Sequence, residues 1–186
     1  MPSCPTIESG IARNTALICK APNCHLHRSR VGGHCRRHGR IAQRYGHPQG
    51  RRIFPREYAV ELALVSEFID AHKDHPAITA ATSWINEWLT EAYSGNTAVV
   101  ATREMSRLYA RGVTAVAILK TACALFLYSH RFPSRLQDDV RLTYAMSRAV
   151  LALAPPNRTR SPSNPGTTNT VRYPVEAKRG IGQRLR

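Results

Sequence analysis

Cys19-Lys20-Ala21-Pro22-Asn23-Cys24, followed after a short interval by Gly32-Gly33-His34-Cys35-Arg36-Arg37-His38, supplies four soft metal ligands as two close pairs. Structural zinc sites take thiolates and imidazoles in this form, one pair from a turn and one from a second element, around a tetrahedral ion. Pro22 and Asn23 suit a tight knuckle, because proline fixes one backbone angle and asparagine tolerates turn geometry. Cys35 and His38 are three residues apart, which on a helix puts both on one face. The spacing predicts a treble-clef-like module of knuckle, short loop or hairpin, glycine turn, and a helix that begins with its ligands. One structural Zn2+ bound by Cys19, Cys24, Cys35 and His38 is expected, although His25, His27 and His34 lie in the same segment and could replace a ligand.

The remaining cysteines do not extend this set. Cys4 is isolated, and Cys123 sits in the apolar run Thr121-Ala122-Cys123-Ala124-Leu125-Phe126-Leu127, where a free thiol packs as a small core residue. Met1 to Gly10 carries no basic start followed by an apolar stretch, so a reducing, cytoplasmic setting is expected, in which clustered cysteines bind metal rather than pair.

Charge divides the chain into three parts. Residues 1–56 hold eleven Lys and Arg against one acid, residues 57–154 nine against ten, and residues 155–186 seven against one. The formal excess of +15 therefore belongs to the two ends, which is the pattern of a polyanion binder. On a helix from Cys35 to Tyr45, at about 100° per residue, Cys35, His38, Ala42 and Tyr45 share one side while Arg36, Arg37, Arg40 and Arg44 share the other. Beyond it, Gly46 to Arg52 reads as an extended arm whose Arg51 and Arg52 could enter a minor groove.

From Pro55 the pattern becomes helical, and five helices are predicted: about 55–72, 76–93, 97–110, 113–130 and 134–154. Tyr58, Leu62, Val65, Ile69 and His72 form the inward stripe of the first. Ile78, Ala81, Ile85, Trp88 and Leu89 face inward from the second, and the third ends at Arg111-Gly112. The fourth is apolar almost all round and is the candidate central helix; it is too short, with Lys120 inside it, for a membrane span of about 20 residues. Leu136, Val140, Tyr144, Ser147 and Leu151 mark the fifth. The fold class is thus mainly α: an N-terminal segment (1–18), a zinc module with basic helix and arm (19–54), a five-helix bundle-like domain (55–154) and a disordered basic tail (155–186), with any strands short and confined to the zinc module.

The string Gly33-His34-Cys35-Arg36-Arg37-His38-Gly39-Arg40-Ile41-Ala42-Gln43-Arg44-Tyr45-Gly46-His47-Pro48, preceded by Cys19 and Cys24, resembles a short zinc module of phage and mobile-element proteins of bacteria, which accompanies DNA-acting proteins including some HNH-class homing endonucleases. The resemblance covers Cys19 to Pro48. It implies that Cys19, Cys24, Cys35 and His38 take the metal, with Arg40 and Arg44 following on the helix. Nothing downstream matches an HNH catalytic segment. Asp70, His72, Asp74 and His75 read as a polar helix end, and no phosphate loop or nucleophile motif is present, so no enzymatic activity is expected. The expected function is nucleic-acid binding, DNA ahead of RNA, in an accessory or regulatory role. A protein-interaction scaffold with a purely structural zinc, or a nuclease-associated protein, is the alternative. A protein partner or a homo-oligomer through the helical domain is compatible with either; no membrane partner is expected.

Overall fold

In a computed structural model of the protein, the described residues are 6–94, 100–136, 138–154, 159–161, 164–169 and 175–185. Cys4, the Gly95-Asn96 break and the Pro155-Pro156 stop lie outside them. The chain divides into two units, Met1–Arg52 and Ile53–Arg186.

The first unit starts with helix α1 (Ile7–Ala16), capped by Thr6, whose hydroxyl accepts the Ser9 N–H at 3.3 Å. Helix α1 buries no residue and is held by a polar tie: Asn14 Nδ2 donates to the carbonyls of Ser29 (2.9 Å) and Gly32 (3.1 Å). The knuckle follows, flanked by an isolated antiparallel bridge between Ile18 and His27. Helix α2 (Arg36–Tyr45) closes the unit, with Cys35 as N-cap and Gly46 as C-cap at φ +77°, a left-handed conformation that costs glycine little. Among the described residues the buried apolar cluster here is Cys19, Ala21 and Cys35, with Cys24 against it, while Ile7, Leu17, Leu26 and Val31 are exposed. A core of that size cannot offset the chain entropy of nearly fifty residues.

The second unit is the helical domain. After a 3-10 turn at Pro55–Glu57 come α3 (Ala59–Ala71), α4 (Pro76–Ser94), α5 (Val100–Ala110), α6 (Ala115–Arg131) and α7 (Asp139–Ala152). Helix α6 is central, packed against α3, α4 and α7, and buries Ala115, Ile118, Thr121, Ala122, Ala124, Leu125 and Tyr128. Ile85, Trp88, Leu89, Met105, Leu108, Ile118, Val150 and Leu151 form the main cluster, each fully buried large side chain contributing about 1.5–3 kcal/mol. Arg107 caps the end of α7 by donating to the carbonyls of Leu151 and Ala154. No helix among the described residues is long and apolar enough to cross a membrane.

Three expectations need correction. First, part of the tail read as disordered is ordered: Val175–Arg184 forms helix α8, which packs on α5 and α7. Ile181, fully buried, anchors it in the core, Lys178 lies over the Tyr144 ring and Arg184 over Trp88. Gly182 permits this docking, since a Cβ there would strike the Thr143 carbonyl and the Ser147 hydroxyl. Second, strands occur in the tail, where β1 (Thr159–Ser161) pairs antiparallel with β2 (Asn164–Asn169).

Third, two inward stripes each lose one member: Tyr58, Leu62, Val65 and Ile69, and Leu136, Tyr144, Ser147 and Leu151, lie inward as expected, but His72 and Val140 do not. On α3, His72 is exposed and Glu61 is buried, its carboxylate accepting from Arg131 Nη1 at 3.1 Å. A buried carboxylate without such a partner costs several kcal/mol, so this pair fixes how α3 meets α6. On α7, Val140 is exposed, because the helix begins later than expected: Asp138 is its N-cap, accepting the Arg141 N–H at 2.7 Å.

Candidate metal centre

Asn23, at φ +57°, turns the chain between Cys19 and Cys24, and the Cys24 N–H donates to the Ala21 carbonyl at 3.2 Å. Backbone bonds Cys19 N–Leu26 O and Arg28 N–Leu17 O, both 2.9 Å, zip the two sides of the knuckle together. The loop returns through Gly32 at φ +100°, and Lys20 N donates to Gly33 O at 2.9 Å, which brings the start of α2 over the knuckle.

The result places the Cys19, Cys24 and Cys35 sulfurs and a His38 ring nitrogen within 4.8 Å of one another, close enough to hold a metal ion. His38 Nδ1 is 3.5 Å from the sulfurs of both Cys19 and Cys35, and the Cys24 and Cys35 sulfurs are 3.9 Å apart. A tetrahedral ion with metal–sulfur bonds of about 2.3 Å and metal–nitrogen bonds of about 2.0–2.1 Å requires sulfur–nitrogen edges of about 3.6 Å and sulfur–sulfur edges of about 3.8 Å. The donor set fits that tetrahedron, and no disulfide joins the described cysteines. Of the other histidines of this segment, His25 and His27 are exposed and outside the group. His34 Nδ1 lies 3.9 Å from the Cys19 sulfur, within hydrogen-bonding reach of it, and is not one of the four.

Backbone amides support the thiolates. Ala21 N donates to Cys19 Sγ and His38 N to Cys35 Sγ, each at 3.5 Å. Burial by itself pushes the Cys19 thiol up, but backbone donors at Cys35 and Ala21 and the rings of His38 and His34 outweigh it and bring the thiol from 9.0 down to about 5. For Cys24 the Leu26 backbone donor pulls down, yet burial and the neighbouring Cys19 and Cys35 prevail and raise it. A thiol held below its unfolded value stabilises the fold above that value, and this contribution disappears as pH falls through about 5.

The site also decides the fate of α2. Arg36 and Arg37 open that helix with no acid in its first turn, an arrangement the helix dipole disfavours; the Cys35 sulfur at the N-cap accepts the His38 N–H there. Arg36, Arg37, Arg40 and Arg44 are all exposed, while Cys35 is buried and His38 and Ala42 are half-buried. Arg51 and Arg52 are exposed too, but the arm before them is not fully extended. Residues 47–50 make a turn closed by Gly50 N–His47 O at 2.9 Å and tied to the knuckle by Gln49 Nε2–Pro22 O at 3.2 Å.

The Asp70–His75 stretch has other roles. Lys120 Nζ donates to both Asp70 oxygens at 2.7 Å, His72 stacks on Phe68, and His75 Nδ1 accepts the Ala77 N–H at the start of α4. Asn14, Gln49 and the two amide donors to sulfur are supports that ligand spacing alone does not reveal. No protein-family model matches this chain, and neither does any curated protein or solved structure.

Proposed function

We propose that this protein binds nucleic acid, DNA in preference to RNA, as a cytoplasmic accessory or regulatory protein of bacterial, phage or mobile-element origin, acting by binding and not by catalysis. A single structural zinc ion, held by Cys19, Cys24, Cys35 and His38, is its cofactor. Three thiolates and an imidazole suit zinc, and four protein ligands make a closed site with no position for a reacting water.

The observation that carries this reading is the division of α2. Its ligand side is turned to the knuckle, and its other side offers Arg36, Arg37, Arg40 and Arg44 to solvent, followed in the chain by Arg51 and Arg52. Arginine forks pair with phosphate oxygens and with guanine edges. The metal gives that row of charges a fixed backbone.

Fluorescence anisotropy with a random-sequence DNA duplex and a structured RNA tests it. With four to six phosphates contacted, affinity for duplex should fall about 10²- to 10³-fold between about 50 and 200 mM salt. No binding to either polymer, or binding indifferent to salt, would overturn the proposal.

A further inference from the structure

Helix α3 is apolar on almost every side. Among its thirteen residues only Glu61, Ser66, Glu67 and Asp70 are polar, and Glu61 is buried. A helix at the edge of a bundle ordinarily shows one apolar stripe, and one apolar all round is covered on all sides. Yet α3 packs on α6 and the 3-10 turn, and leaves Val60, Leu64 and Phe68 exposed by 59%, 53% and 60%. At 100° per residue these three fall within an arc of about 80°, one straight strip along the outer face. Exposed Ala63, Glu67 and Ala71 run along its edge. The pairs Asp70–Lys120 and Glu61–Arg131 set α3 and α6 antiparallel, so Leu127 of α6, also exposed, lies level with Leu64. Single exposed apolar side chains are ordinary, but an aligned row is not.

The strip is symmetric about Leu64, with Val60 four residues before it and Phe68 four residues after. Each end carries an exposed charge, the cation Arg56 at one and, next to exposed Lys73, the anion Asp74 at the other. Arg56, exposed in the 3-10 turn before α3, lies over the Phe54 ring and has no carboxylate partner among the described residues. Asp74, exposed just beyond the other end, has no hydrogen-bond or ion-pair partner among them. An antiparallel second α3 would set Leu64 on Leu64, Val60 on Phe68, and Arg56 of each copy near Asp74 of the other, with the helix dipoles opposed.

We propose that this face is a two-fold interface between copies of this chain, α3 against α3. Three large side chains per copy make a strip smaller than a standard interface of about 800 Å² a side, so the dimer dissociates at about 1–100 μM. Dimerisation needs neither metal nor nucleic acid.

Sedimentation velocity on the full chain, from about 1 to about 200 μM, reads the equilibrium. Wild type should pass from monomer to dimer, and Leu64→Glu should stay monomeric with unchanged circular dichroism, because Leu64 supports no core contact. Arg56→Asp and Asp74→Arg should each weaken the dimer about threefold to tenfold, and the two together should restore it, a rescue that only the two-fold pairing yields. A wild type monomeric throughout, a dimer indifferent to Leu64→Glu, or a double variant no better than the single ones would overturn the proposal. A monomeric chain would also leave the strip to a different protein, one whose helix need not obey the Arg56–Asp74 exchange.

Discussion

Replacing Cys35 by serine removes metal from the protein and unfolds residues 6–52, while the second unit keeps its structure. Cys35 is the hinge of the first unit. Its sulfur is one of the four ligands, caps α2, and stands where the dipole of a helix opened by two arginines needs negative charge. Among the described residues no buried large apolar side chain stands behind it, so in the proposed reading the binding energy of a zinc ion, about 10–16 kcal/mol in zinc-finger peptides, is the main source of order. The ten-residue helices α1 and α2 should both melt, since α1 buries nothing and depends on the Asn14 tie to a loop that the metal fixes. Circular dichroism should show that partial loss, and the cooperative thermal transition of α3–α8 should stay within a few degrees, because the second unit has large buried clusters of its own. A chelator should reproduce the same partial unfolding. Complete unfolding, or none, would show that the two units are not energetically separate in this way.

Changing Arg36, Arg37, Arg40 and Arg44 together to alanine should weaken duplex binding by about 10²-fold or more at moderate salt and reduce the slope of log affinity against log salt by about 3.6, the share of four phosphate contacts. Metal content should not change. These side chains are exposed on the side of α2 away from Cys35 and His38, and alanine is at least as good a helix former as arginine. Anisotropy at several salt concentrations, with metal quantified on the same samples, separates loss of contact from loss of fold. A slope unaltered by the four substitutions would place the binding surface elsewhere on the chain.

The convergence of Cys19, Cys24, Cys35 and His38 and five of the helices were legible in the sequence because their signals are local. Two close ligand pairs, an asparagine in the knuckle and a glycine after Tyr45 each leave a mark within a few residues, and the observed φ angles of Asn23 and Gly46 are those their residue types favour. Helices α3 to α7 bury enough apolar side chains at helical spacing to be read without knowing their neighbours. What escaped depends on distant partners. Helix α8 has an apolar anchor, Ile181, between two glycines, a pattern that resembles linker until Thr143 and Ser147 are placed against it. Burial of Glu61 requires Arg131, seventy residues away, and no periodicity announces it. Helix α1 has a cap at Thr6 but no buried face, so its pattern is indistinct; only the contacts of Asn14 give it a place.

X-ray absorption at the zinc edge on freshly purified protein, with metal counted per chain, tests the central claim most directly. One zinc per chain with three sulfurs at about 2.3 Å and one nitrogen at about 2.0–2.1 Å is the expected result. A protein without metal, or an ion whose inner shell includes water oxygen or fewer than three sulfurs, would contradict the closed site on which the presentation of the α2 arginines rests.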